Sequence, residues 1–125
     1  MKNSVLIIDD DTNLRESLGE ILEMEGFTCQ LAGTAKEGLR LAELHHPDVA
    51  LVDVQLPDSS GFQICQTLRK HSKSCVLIMM SGRFSSSEEK TQGFGLGADE
   101  YITKPFDPKE LTARIRQLIS RMTSA

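Results

Sequence analysis

Four short polar groups hold most of the reactive chemistry in this sequence: Asp9-Asp10-Asp11, Asp53, Ser81-Gly82 and Lys104-Pro105. Carboxylates crowded at one site repel each other, which raises the cost of ionising all of them. A hard divalent cation relieves that repulsion, and Mg²⁺ suits a site with few carboxylates, several waters and phosphate oxygens. An aspartate carboxylate is also a nucleophile toward phosphorus, giving an aspartyl phosphate. Such a transfer needs positioning and charge neutralisation more than covalent chemistry. Lys104 and a metal could neutralise the equatorial oxygens, and the Ser81 hydroxyl could donate a hydrogen bond to one of them. Taken singly, each group is bland: an Asp after a strand is usually a turn or cap residue, and Ser-Gly or Lys-Pro marks a loop. The chemistry follows only if the fold brings all four together.

The elements that must do so alternate. Val5–Ile8 is a continuous apolar run of strand length, followed by Leu14, Leu18, Ile21 and Leu22 on one face of a helix. Thr12 is a reasonable N-cap for that helix, with help from Asp11, and Gly26 a reasonable stop. A weaker strand over Phe27–Ala32 precedes a helical stripe of Ala35, Leu39 and Ala42 that Pro47 ends. Strands over Val49–Val54 and Cys75–Met80 flank a helix marked by Ile64, Cys65 and Leu68. A fourth helix is predicted near Ser86–Phe94, with capping boxes at its start and glycines weakening its end. A short strand, about Glu100–Thr103, precedes a last helix carrying Leu111, Ile115, Leu118, Ile119 and Met122. Five strands alternating with five helices predict one doubly wound α/β domain over residues 1–125, built on a mostly parallel sheet. Apolar residues run continuously along the strands because helices cover both faces. In an open sheet of this kind ligands bind beyond the carboxyl ends of the strands. The three aspartates, Asp53, Ser81 and Lys104 all fall at such ends.

Bulk properties narrow the function classes. A chain of 125 residues is the size of one domain. Its net charge of −4 gives no basic footprint for nucleic acid. The first apolar run is four residues long and ends in aspartates, so it is neither a signal-peptide core nor a membrane span. Cys29, Cys65 and Cys75 show no CxxC spacing and are expected to be small buried hydrophobes in a reduced cytosol. His45, His46 and His71 carry no metal signature.

The motifs that carry a family resemblance are Val5-Leu6-Ile7-Ile8-Asp9-Asp10-Asp11, Leu51-Val52-Asp53-Val54-Gln55-Leu56-Pro57-Asp58-Ser59-Ser60-Gly61, Met80-Ser81-Gly82, and Gly97-Ala98-Asp99-Glu100-Tyr101-Ile102-Thr103-Lys104-Pro105-Phe106. In this order and at these spacings the chain resembles the receiver domain of bacterial response regulators from about Val5 to Met122. The resemblance implies a flavodoxin-like sheet of strand order 2-1-3-4-5. It implies that Asp53 is the phosphoacceptor, that Asp10 and the Gln55 carbonyl are direct Mg²⁺ ligands, and that Asp9 acts through metal-bound water. Ser81 and Lys104 correspond to the switch hydroxyl and the phosphate-binding cation, Tyr101 to an aromatic that follows the hydroxyl inward on activation, and Pro105 to a cis proline. Leu56 and Ser81 stand where many relatives have Met and Thr, and both keep the needed function.

On this resemblance the chain is a cytoplasmic two-component switch rather than a turnover enzyme. It takes its phosphoryl group from a sensor histidine kinase or a histidine phosphotransfer protein. The surface of the fourth helix, fifth strand and last helix then changes for a downstream effector domain or protein. A monomer or weak homodimer with no direct nucleic-acid or membrane contact is expected. Two other classes compete. An aspartyl-phosphate phosphatase would want a second acid two residues after Asp53, where Gln55 stands. A flavodoxin-like cofactor module would want a phosphate-cradling loop after the first strand, where this chain has three acids.

Overall fold

The computed structural model describes residues 3–82, 91 and 95–123. Its elements run β1 (Ser4–Ile8), α1 (Thr12–Met24), β2 (Thr28–Ala32), α2 (Ala35–His45), β3 (Val49–Asp53), α3 (Gly61–His71), β4 (Val76–Ser81), β5 (Glu100–Thr103) and α4 (Pro108–Thr123). The helix predicted near Ser86–Phe94 lies outside the described residues, apart from Thr91. All four strand pairings are parallel and the sheet order is β2-β1-β3-β4-β5. The chain leaves β1 for β2 on one side and returns to β3 on the other. The order therefore reverses between β1 and β3, and a crevice opens beyond their carboxyl ends.

Residue alternation sorts the core into two layers. Leu6, Ile8, Ala50, Val52, Leu77 and Met79 face one way and pack with Ala35, Ile64, Cys65 and Leu68 of α2 and α3. Val5, Ile7, Leu51, Ile78 and Met80 face the other way and meet Leu18 and Leu22 of α1 and Leu111 and Ile115 of α4. Among the described residues, no helix is long and apolar enough to cross a membrane.

The helix ends follow local chemistry, with small departures from the sequence expectation. Asp11 rather than Thr12 is the N-cap of α1, accepting from the Leu14 N–H at 3.2 Å, and Thr12 is the first helical residue. Asp serves as well as Thr here because either offers an oxygen to an orphan N–H. Gly26 follows the end of α1 at φ 97°, a left-handed turn that glycine adopts without steric cost. Phe27 falls outside β2 because its N–H bonds back to the Leu22 carbonyl at 3.0 Å, closing α1. β3 ends one residue earlier than expected, and β4 starts and ends one residue later. Cys65 and Cys75 are buried and Cys29 is half-buried. Burial pushes the Cys29 and Cys65 thiols up to about 11 and Cys75 up to about 12, so all three stay protonated and unreactive near neutrality.

Candidate functional site

Asp9 follows β1, Asp53 ends β3, Ser81 ends β4 and Lys104 follows β5, so parallel pairing delivers them to one edge. Asp53 pairs with Met80 and Ser81 with Thr103, which sets the β3, β4 and β5 ends side by side. Carboxylate oxygens of Asp9, Asp10 and Asp53 all lie within 4.8 Å of one another. Asp9 is fully buried, Asp53 is 8% exposed, and Asp10 faces solvent. This donor set suits a hard divalent cation, since it offers three anionic oxygens with an open side for water.

Lys104 enters the same cluster. Its Nζ donates to Asp9 Oδ2 at 2.7 Å and to Asp53 Oδ2 at 3.2 Å. Burial acts to lower the Lys104 pKa, but the hydrogen bond to Asp9 and the charges of both carboxylates outweigh it, and the net direction is up. Asp53 is pushed up as well. Burial is the main cause and the Asp9 charge adds to it, while the Gln55 N–H and the Lys104 charge pull the other way. The two directions are compatible, because one ammonium is shared by two buried acids and does not fully compensate the desolvation of Asp53.

Backbone contacts hold the acids in place. Asp9 Oδ1 accepts from the Asp11 N–H at 2.9 Å, and the Arg15 guanidinium donates to the Asp9 carbonyl at 2.8 Å. Asp53 Oδ1 accepts from the Gln55 N–H at 3.1 Å. After Asp53 the chain turns sharply, with the Gly61 N–H on the Val54 carbonyl at 2.7 Å. A Cβ on Gly61 would collide with the Asp53 carbonyl oxygen, so glycine is required at that close approach.

The remaining candidates lie around this centre. Ser81 is buried, with its hydroxyl 3.4 Å from the Gly82 carbonyl, and its own carbonyl accepts from the Lys104 N–H at 2.6 Å. The Lys104–Pro105 peptide is cis. Tyr101 is 8% exposed and belongs to the core layer that also holds residues of α2 and α3, so its ring is already buried in this structure. The Gln55 side chain is exposed. Beside the cluster a cleft of about 450 Å³ is lined by Leu14, Leu18, Ile21, Lys104 and Phe106, among others.

Three contacts near the site have no signal in the sequence. Lys104 reaches Asp9 as well as Asp53, Arg15 supports the Asp9 carbonyl, and Asp58 accepts from Ala35 and Lys36 at the start of α2. The backbone N–H groups of Ala35 and then Lys36 hold the Asp58 carboxyl below its usual range. The partners of Lys104 and Asp58 lie far away along the chain, where a local pattern cannot find them. Arg15, six residues after Asp9, reads from sequence as one more polar helix residue.

Comparison with known proteins agrees with this architecture. Residues 5–116 match the family described as the response regulator receiver domain. The cell cycle response regulator CtrA of Brucella ovis is 38% identical over 117 residues, covering 94% of this chain and 50% of CtrA. A CheY-like response regulator receiver domain protein from Methanospirillum hungatei superposes with a TM-score of 0.95 at 34% identity, covering 99% of this chain and 98% of that one. The beryllofluoride-activated DrrB receiver domain gives a TM-score of 0.87 at 30% identity, covering 96% and 99%. The chain spans about half the length of the curated relatives it matches. With the acids, the lysine and the sheet order in place, the chain belongs to the response regulator receiver domain family.

Proposed function

We propose that Asp53 accepts a phosphoryl group from a phosphohistidine donor with Mg²⁺ held at Asp10, Asp53, the Gln55 carbonyl and, through water, Asp9. The observation that carries this is the meeting of three carboxylates within 4.8 Å with the Lys104 ammonium on two of them. Three negative charges against one positive leave two to be balanced, which suits a divalent cation. When bound, the metal supplies charge neutralisation on the transferring oxygens.

The chain's own residues supply the rest. An Asp53 oxygen forms the new bond to phosphorus as the bond from phosphorus to the donor's imidazole nitrogen breaks. The electron pair stays on that nitrogen. Lys104 Nζ, already on Asp53, is placed to move onto the phosphoryl oxygens, and Ser81 at the neighbouring strand end can donate a hydrogen bond to them. Acceptance needs no further protein catalyst. In the loss of the group, water attacks the phosphorus, the bond to the Asp53 oxygen breaks with its electron pair left on the carboxylate, and inorganic phosphate is released, so both steps are self-catalysed. The purpose is a change of state rather than turnover. The cleft beside Lys104 gives the apolar residues of a kinase or phosphotransfer protein a place to pack near the acceptor. A cytoplasmic location and an effector domain or protein as recipient complete the reading. Tyr101, buried on β5 next to β4, is the side chain through which a shift at Ser81 would reach the β5 surface.

Incubation with acetyl phosphate and Mg²⁺ tests this by intact mass. One phosphoryl group should appear on the wild type and none on Asp53→Asn or in the presence of EDTA. Labelling that persists in either control contradicts the assignment.

A further inference from the structure

We propose that Asp58 is a positioning residue for this site, acting through the loop that carries Gln55; the proposal rests on the reading of Asp53 and its neighbours above. Asp58 Oδ1 accepts from the Ala35 N–H at 2.8 Å, and Oδ2 accepts from the Lys36 N–H at 3.0 Å. The first turn of a helix leaves its N–H groups without partners and carries partial positive charge, so a carboxylate is well placed there. Yet α2 already has a local cap, because the Thr34 hydroxyl accepts from the Glu37 N–H at 3.2 Å. The second cap comes from a residue 22 and 23 positions away from its two donors, in the β3–α3 connection.

That connection is otherwise bonded largely to itself. Leu56 N–H donates to the Ser59 carbonyl at 3.2 Å, Gln55 and Ser60 form an isolated bridge, and Gly61 closes onto Val54. Asp58 ties this turn outward to a helix that sits close on β1. A Cβ on Gly38 of α2 would stand only 2.5 Å from Ile8 Cδ1, a measure of how tightly α2 seats on β1. The anchored turn contains the two groups of Gln55 that matter at the site. Its N–H holds Asp53 Oδ1, and its carbonyl is the metal contact proposed above. A carboxylate five residues after the acceptor thus fixes the loop to α2, which packs on β1, the strand that Asp9 follows. Groups that orient metal ligands from outside the coordination sphere govern metal affinity as well as the ligands' placement.

The experiment titrates MgCl₂ into the full chain, following backbone amide shifts at Asp10, Asp53 and Gln55, with thermal melts alongside. Asp58→Ala, Asp58→Asn and Thr34→Ala are compared with wild type. Both Asp58→Ala and Thr34→Ala remove a cap from α2 and should lower the melting temperature. Only Asp58→Ala should weaken Mg²⁺ binding, by several-fold, less than the roughly 10- to 100-fold typical of a group bonded directly to a ligand. Asp58→Asn keeps a neutral acceptor and should fall between, and it also serves if the alanine variant folds poorly. In the metal-free state, hydrogen exchange at the Gln55 amide should speed up in the Asp58 variants and not in Thr34→Ala. Wild-type half-saturation in both Asp58 variants, or an equal loss in Thr34→Ala, would show that Asp58 is only a helix cap. A wild type without Mg²⁺-dependent shifts would defeat the reading of the site itself, and the role of Asp58 with it.

Discussion

At the scale of the residue, Lys104 decides how the metal-free site survives. Asp9 is fully buried, and Lys104 is its charge partner. Removing one partner of a buried pair leaves an uncompensated charge, so Lys104→Met should cost about 2–3 kcal/mol, discounted because the lysine is partly exposed. Asp53→Asn should act in the opposite direction. Because burial raises the Asp53 pKa in the folded state, the folded chain holds that proton more firmly than the unfolded chain does. The resulting stability is fully present below the ordinary aspartate range and is lost as pH rises through the raised value. At neutral pH ionised Asp53 therefore costs stability, and the asparagine variant should melt higher without metal. Its advantage should shrink on acidification. Melts across pH check this, and an advantage that grows as pH falls would contradict the sign. The residues of the candidate site were legible because their types are distinctive and each sits at a strand end. Their partners were not: the Lys104–Asp9 pair spans 95 positions, and only the folded sheet brings it together.

At the scale of the element, the stripes and caps that define α1, α2 and α3 were readable because they are local. Leu18 and Leu22, or Ile64, Cys65 and Leu68, are buried as their spacing requires. What periodicity cannot show is how closely an element seats. Gly38 lies inside α2, where alanine would ordinarily gain about 1 kcal/mol of helix propensity. Here a new Cβ would stand 2.5 and 2.8 Å from Ile8 Cδ1 and Cγ1, and overpacking of that kind costs about 1–3 kcal/mol. Packing should win, so Gly38→Ala should be net destabilising in denaturant melts. Ile8→Val, which removes Cδ1, should recover part of the loss when the two are combined. A stabilised Gly38→Ala would mean that the Ile8 side chain or α2 itself gives way, and that the contact does not hold α2 tightly enough to serve as the measure of an anchor for Asp58.

At the scale of the molecule, burial separates central strands from edge strands, while the strand order itself was legible only through the family resemblance. β3 and β4 are buried throughout and β1 nearly so, which places them in the centre. The half-exposed β2 and the short β5 stand at the edges. The sequence shows that contrast in hydropathy, and the parallel crossovers then leave one crevice, between β1 and β3, where Asp9, Asp10 and Asp53 meet. A fold of this type hosts many functions, so the order alone does not name the chemistry; the acids and Lys104 at the crevice do. The most direct test of the central claim is to trap the acyl phosphate. Wild-type chain phosphorylated by acetyl phosphate with Mg²⁺ is treated with borohydride, which reduces an aspartyl phosphate to homoserine, and the products are mapped by peptide mass spectrometry. Homoserine at position 53 alone, lost when Mg²⁺ is chelated, is the predicted result. Homoserine at Asp9, Asp10 or another carboxylate, with position 53 unmodified, would contradict it.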